Sequence, residues 1–314
     1  MYHEYKLGVK AGYAKFETFP IWSIPLKHPV NIAYEAATAD LRDFNLVDPF
    51  HLEAYNKTAI NYNRDVEAFP LLRRIVEKIT GAKSFYQSPT DMGVNRAGFG
   101  IVDDAAVKEA AKQEIIRRFF RYSCEYAMGF VDKETVQRAE LIMRGLGLTP
   151  EDRIVVAHAH KAASKVQNKG KGGEEIFCAA AIELKNGSIV TGKNSELMQA
   201  SSSLVLNAIK TLAEIPDKIH LLSPSVIESI ANLKKNISGE KTISLDLEEA
   251  LIALCISATT NPTAQLAMEK LNELSGCEVH TTHMPTPGDE MGLRRLGVNL
   301  TSDPNFSTTS LFVT

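Results

Sequence analysis

The chain has 314 residues, 44% hydrophobic and 23% charged, with a net charge of −3. That is enough apolar matter for two domains of ordinary size, and too little positive charge to predict a nucleic acid or an anionic membrane as partner. No apolar run of about 18 residues predicts a membrane span, and the opening MYHEYKLGVKAG has no apolar signal core, so a cytoplasmic protein is expected. The four cysteines, Cys124, Cys178, Cys255 and Cys277, are scattered without a C-x-x-C pair, which reads as buried free thiols in a reducing compartment.

The first hundred residues mix short elements with aromatics and prolines. YAKFETFPIW alternates like a strand and stops at Pro20. PVNIAYEAATADLRDF predicts a helix with Pro29 in its first turn and Ile32, Ala36 and Ala39 near one stripe. FNLVDPF is a short strand ending at Asp48-Pro49. NRDVEAFPLLRRIVEKITG is a helix with Val66, Phe69 or Pro70, Ile75 and Ile79 inward, split or kinked at Pro70 and closed by Gly81. The middle is helical: a long helix from Asp103 or Asp104 to about Gly129, a second from Lys133 to Leu146, and a third opened by Thr149-Pro150.

VQNKGKGGEEI reads as a linker, and beyond it the pattern changes. Two apolar runs flank Asn186-Gly187, a hairpin signal because both turn residues tolerate positive φ. A helix over Ser201 to Ala213, a strand over Lys218 to Leu222 and a helix from Ser223-Pro224 follow. Helices from Ser244, with Asp246, Glu248 and Glu249 in its first turn, and from Asn261-Pro262, a strand in CEVHTTHM, a helix in DEMGLRRLG and a strand in VNLTSDP complete an α/β domain.

The order hairpin, helix, strand, Ser-Pro, helix is similar to a cytidine deaminase. That chemistry needs a His or Cys with a Glu two residues on, and two thiolates at the second helix start. Ser201 to Val205 and Ser225 to Ile227 stand there instead, so a zinc deaminase is excluded while the topology stays expected. The starts near Ser201 and Ser223 offer free backbone N–H groups to a small anion, or are plain serine caps. His158 and His160 are two apart on a helix, and His280 and His283 three apart around a strand. Neither pair predicts a chelate, and no metal ligand is assigned.

Four polar clusters fall in the first hundred residues. Lys27 and His28 lie together between prolines before a helix. Asp48 and His51 follow a strand end, where α/β ligand sites lie. Asn63 and Arg64 belong to NYNRD, and Thr90, Asp91 and Asn95 to the Gly-rich SPTDMGVNRAGFG. An Asp past a strand, with Lys and Arg in loops, suits a Mg²⁺-phosphate ligand; turns and caps around prolines are the competing reading.

GYAKFETFPIW, PLKHPVNIAYEAATADL, VDPFHLEAY, NYNRDVE and SPTDMGVN are long and specific, and on them the chain resembles an uncharacterised bacterial family, domain of unknown function 1846 (uncharacterised protein family 0371). The likeness runs from Tyr2 to about Pro304. Members of that family extend upstream through a Gly-rich G-P-G-S-G-K phosphate loop, which this sequence lacks. The resemblance implies a partial Rossmann-like nucleotide-type region over 1–100, a helical section over 101–168 and the deaminase-like α/β domain over 169–314. It carries no assigned reaction. The expected function is the substrate-side and C-terminal portion of a phosphate-loop nucleotide-dependent phosphotransferase or hydrolase, with Mg and a nucleotide as cofactors of the full-length protein. Asp48, His51 and Asp91 are the catalytic candidates, Asp48 on the metal side and Asp91 as base. Lys27, His28, Asn63, Arg64, Thr90, Asn95, Ser201 and Ser223 are the ligand-binding candidates. A non-catalytic small-anion-binding or oligomerisation module is the alternative. An incomplete N-terminal domain exposes apolar surface, so a homo-oligomer is expected.

Overall fold

The computed structural model describes residues 2–9, 20–167, 177–238 and 243–307. The strand expected in YAKFETFPIW and the linker VQNKGKGGEEI lie mostly outside them. The chain forms two compact units, Met1–Tyr122 with Val131–Thr149, and Ser123–Phe130 with Pro150–Thr314. The helical section expected over 101–168 is thus divided between two units.

In the first unit α1 (Tyr2–Lys6) is followed by α2 (Pro29–Ala37), which starts where the His28 ring accepts the Val30 N–H at 3.2 Å. β1 (Asn45–Val47) runs into α3 (Pro49–Tyr55), and β2 (Ile60–Tyr62) pairs with β1 antiparallel, Leu46 opposite Asn61. Apart from an isolated parallel bridge between Ile21 and Asn95, this ribbon is the only pairing among the described residues of the unit, so no parallel Rossmann pair stands there. α4 (Asn63–Thr80) passes through the exposed Pro70 as one helix and ends on Gly81, whose φ of 68° closes it. Its inward residues are Phe69 and Val76, seven apart, while Ile75, expected inside, is exposed. Phe69 packs with Tyr86, Met92, Phe50 and Leu72. The long α5 (Asp104–Ala127) precedes α6 (Lys133–Gly145), where the Asp132 carboxylate caps the Thr135 N–H at 2.8 Å. Tyr122 of α5 packs against Ala39 and Ala139, and burial pushes its phenol up to about 12.

The second unit is a three-layer α/β/α arrangement. α7 (Ile154–Gln167) precedes the hairpin β3 (Ala179–Glu183) and β4 (Ile189–Lys193), turned at Gly187 with φ of 79°. α8 (Ala200–Leu212), α9 (Pro224–Leu233), α10 (Leu247–Ala258) and α11 (Pro262–Met268) follow, then β5 (Glu278–Thr281), α12 (Pro287–Arg295) and β6 (Asn299–Ser302). The sheet order is β4-β3-β5-β6, with β3 antiparallel to both neighbours and β5 parallel to β6. Alternation along β3 separates the layers. Ala181 faces Val155 and Ala159 of α7, while Ala180 and Ile182 face α8 and the helices behind it. Leu204, Leu247 and Leu254 are fully buried there, each worth about 1.5–3 kcal/mol of burial. Small residues permit the close stacking: a Cβ on Gly192 of β4 would lie 2.2 Å from the Leu204 backbone nitrogen of α8.

The strand expected over Lys218 to Leu222 is a turn. Its Leu221 and Leu222 are buried in the core, but the position beside β3 is filled by β5, whose Thr281 pairs with Ala180. A deaminase-like order would need a strand between α8 and α9, and the described residues have none. No helix of the described residues is long and apolar enough to cross a membrane.

Candidate functional site

Six residues of the first unit converge where β1 meets α3. Asp48 leaves β1 and is fully buried. Its Oδ1 accepts the Phe50 and His51 N–H groups at 3.0 and 3.1 Å, capping α3. Its Oδ2 accepts the Thr90 hydroxyl at 2.6 Å and the Thr90 N–H at 3.3 Å. Both oxygens are committed, so the expected metal-side role of Asp48 has no lone pair facing a ligand; the residue braces the 88–92 turn against α3. His51, one turn along α3, meets the Ser88 hydroxyl through Nδ1 at 3.1 Å and stacks near Trp22 and Tyr55.

Ser88 and Asp91 close a capping box around the turn Pro89–Met92. The Asp91 carboxylate is asymmetric. Oδ2 accepts the Gln87 N–H at 2.7 Å, the Ser88 N–H at 3.0 Å and the Tyr55 hydroxyl at 3.0 Å. No described residue donates to Oδ1. Tyr55 is 43% exposed, and desolvation and the Asp91 charge both push its phenol up. One oxygen of this half-buried carboxylate is held by three donors and the other by none of the described residues, beside an exposed phenol and a buried imidazole.

His28 caps α2 and gives its Nε2 to Asp104 at 2.9 Å. Lys27 is exposed. Asn63 accepts the Phe44 N–H at 2.9 Å, Arg64 pairs with Asp43 at 3.3 Å, and Asn95 donates to the Tyr34 hydroxyl at 3.0 Å.

In the second unit the two serine-rich helix starts differ. Ser223 caps nothing with its side chain, which meets the Ser225 hydroxyl at 2.8 Å. Ser201 is buried and hydrogen-bonds the buried Asp289 carboxylate, which also accepts the Leu247 N–H at 2.8 Å. Burial pushes Asp289 up to about 7. A helix start already serving a carboxylate leaves little for a further anion.

A second constellation was invisible to short-motif reading. His160 of α7, His280 of β5 and Asp303, one residue past β6, place one ligand-type atom each within 4.8 Å of the others. His160 Nε2 lies 2.7 Å from Asp303 Oδ2, and His280 Nε2 lies 3.4 Å from Asp303 Oδ1. The rings stand edge to face at 5.7 Å. Desolvation lowers His280, whereas the Asp303 hydrogen bond raises His160. Burial opposes the Asp303 charge, but the two histidines beside it win and hold it down at about 2. Behind His280, Thr301 Oγ1 lies 2.9 Å from Nδ1 and takes the Arg153 Nε–H at 2.9 Å. Arg153, only 1% exposed, also reaches Glu278 and the Val279 and Asn299 carbonyls at 3.1 and 2.6 Å. Nearby, burial pushes the Cys124 thiol up to about 12, and that thiol donates to the Ser302 carbonyl at 3.3 Å. The signal that could have found this cluster is register: with His280 opposite Thr301 in parallel strands, residue 303 emerges beside the end of β5.

Residues 1–147 match the family model described as "Domain of unknown function DUF1846, N-terminal", and residues 151–312 match its C-terminal counterpart. A UPF0371 protein of Clostridium botulinum (strain ATCC 19397 / Type A) is 56% identical over 312 residues, and one of Clostridium tetani (strain Massachusetts / E88) is 54% identical over 312. Each alignment covers 99% of this chain and 62% of the relative, so the chain spans less than two thirds of the length of the curated relatives it matches.

Proposed function

The chain belongs to the DUF1846 family, and from that premise we propose that it forms the substrate-side, carboxy-terminal portion of a longer nucleotide-dependent enzyme, a phosphotransferase or hydrolase, with Asp91 as its general base. One observation carries the reading: three donors fix Asp91 Oδ2 while no described residue donates to Oδ1. A carboxylate held in that way can take the proton of an attacking hydroxyl or water, the task such a base performs in phosphoryl transfer. Asp48 and Ser88 are positioning residues, since each acts by fixing the turn that carries Asp91. His51 lines the same edge through its contact with Tyr55. Lys27 and Arg64 are the cations this reading assigns to the anionic substrate. This reading assigns the phosphate cradle to a part of the longer protein that this chain does not include.

The test is calorimetric titration of ATP and GTP with Mg²⁺ against the chain extended to the relatives' length. Binding is expected, and Asp91→Asn should keep it while lowering nucleotide turnover about 10²–10⁴-fold. An extended protein that takes up neither nucleotide at millimolar concentration refutes the reading.

A further inference from the structure

We infer that His160, His280 and Asp303 form a binding site for one divalent first-row transition-metal ion, of the Zn²⁺ or Fe²⁺ class, with positions left open to solvent. This site stands in the second unit and does not depend on the nucleotide reading.

Three observations carry the inference. The first is the donor set. Two imidazoles and one carboxylate suit such ions, whereas Mg²⁺ and Ca²⁺ prefer oxygen alone. Three protein ligands leave room for a water or a substrate oxygen, which a closed four-ligand structural site would not.

The second is placement. His280 is the penultimate residue of β5 and Asp303 follows β6, the two parallel strands of the sheet, at their carboxyl ends. Ligand sites of α/β sheets lie there. His160 arrives from α7, so three separate elements of one unit converge on one point. Its side chain is 46% exposed against 0% for His280, so the site has a buried wall and an open face.

The third is the support behind His280. Thr301 has one hydroxyl proton, which goes to the Val279 carbonyl at 3.1 Å. Its lone pairs then take the Arg153 Nε–H and the His280 Nδ1–H, both at 2.9 Å. That pattern assigns the proton of neutral His280 to Nδ1 and aims the Nε2 lone pair at the space beside Asp303. A metal-bound histidine needs this arrangement: its far nitrogen donates to a fixed acceptor, which sets tautomer and ring angle. Arg153 locks that acceptor through contacts on both β5 and β6.

A plain ion pair of His160 with Asp303 is the competing explanation, and metal uptake separates the two. The full chain is stripped with chelator, and Co²⁺ and then Zn²⁺ are titrated in. Stoichiometry is read by elemental analysis and geometry from the visible bands of Co²⁺. One ion per chain and d–d bands of a four- or five-coordinate site are expected. His160→Ala, at an exposed position that folding tolerates, should lose the bands. Thr301→Val, which removes the acceptor behind His280 together with one acceptor of Arg153 but no ligand atom, should weaken affinity about 10–100-fold. His158→Ala, on the same helix, should match the wild type. No Co²⁺ uptake by the folded wild-type chain, or equal uptake by wild type and His160→Ala, overturns the inference.

Discussion

Replacing Arg153 with methionine tests what holds the two parallel strands of the second unit to α7. The guanidinium is 1% exposed and serves Glu278, Thr301 and the carbonyls of Val279 and Asn299. Methionine keeps most of the stem volume and removes every donor. Val279 keeps the Thr301 hydroxyl, and Glu278, a quarter exposed, regains some water. Asn299 loses its 2.6 Å donor and Thr301 its guanidinium. Breaking a buried charge pair from one side costs about 3–5 kcal/mol, and the orphaned acceptors add to it while the apolar stem offsets part. The net expectation is a loss of about 3–5 kcal/mol, or a fall of about 6–20 °C in Tm at about 2–4 °C per kcal/mol for a unit of this size. Because two units share the chain, native-state hydrogen exchange at the β3, β5 and β6 amides is the right assay. A loss below about 1 kcal/mol at those amides would refute the clamp.

Gly192→Ala should destabilise the second unit by about 3 kcal/mol, because the new methyl meets α8 backbone, which cannot swing aside; an unchanged thermal midpoint would contradict that approach. Asp289 gives a pH dependence. Its folded value near 7 lies above the unfolded one of about 4, so it costs nothing below about pH 4. The penalty grows as pH rises toward 7 and then levels off, reaching up to about 4 kcal/mol. Asp289→Asn should flatten that part of the Tm-against-pH curve, and an identical slope in the variant counts against the assignment. Cys255 is exposed, whereas burial pushes the thiols of Cys124 and Cys178 up to about 12. Timed maleimide labelling read by mass spectrometry should therefore modify Cys255 first; comparable early labelling of Cys124 would show that its shielding is wrong.

Local chemistry was legible because it is written in adjacent residues. His28-Pro29 and Asn261-Pro262 start the helices they announce and Asn186-Gly187 turns the hairpin, whereas Asp48-Pro49, read as a strand end, also opens a helix, and the helix expected from Ser244 starts two residues later on its Asp246 cap. That the segments carrying Asp48 and His51, and Thr90 and Asp91, meet was not legible in their separate clusters, nor was which carboxylate oxygen is spent. That depends on Thr90 reaching back 42 residues to Asp48. The Lys218–Leu222 error has the same origin. An apolar run says that a segment is buried, not that a free sheet edge awaits it, and β5 had taken the edge. His160 and His280 each have another histidine close by in sequence, whereas their companion in space is Asp303, 143 residues from His160.

The reach of Arg153 also bears on how the chain is made. Its partners lie 125 to 148 residues downstream, and β5 inserts next to a β3 laid down about a hundred residues before it. At about 5–20 residues per second, the ribosome leaves this cation without its acceptors for about 6–25 s. The β3-β4 hairpin and α8 can fold in that interval, since their contacts are local. The sheet cannot close, and the parallel edge that β6 will complete stays open to other strands in the cell. The second unit is therefore a late-committing fold, sealed only when β5 and β6 leave the exit tunnel.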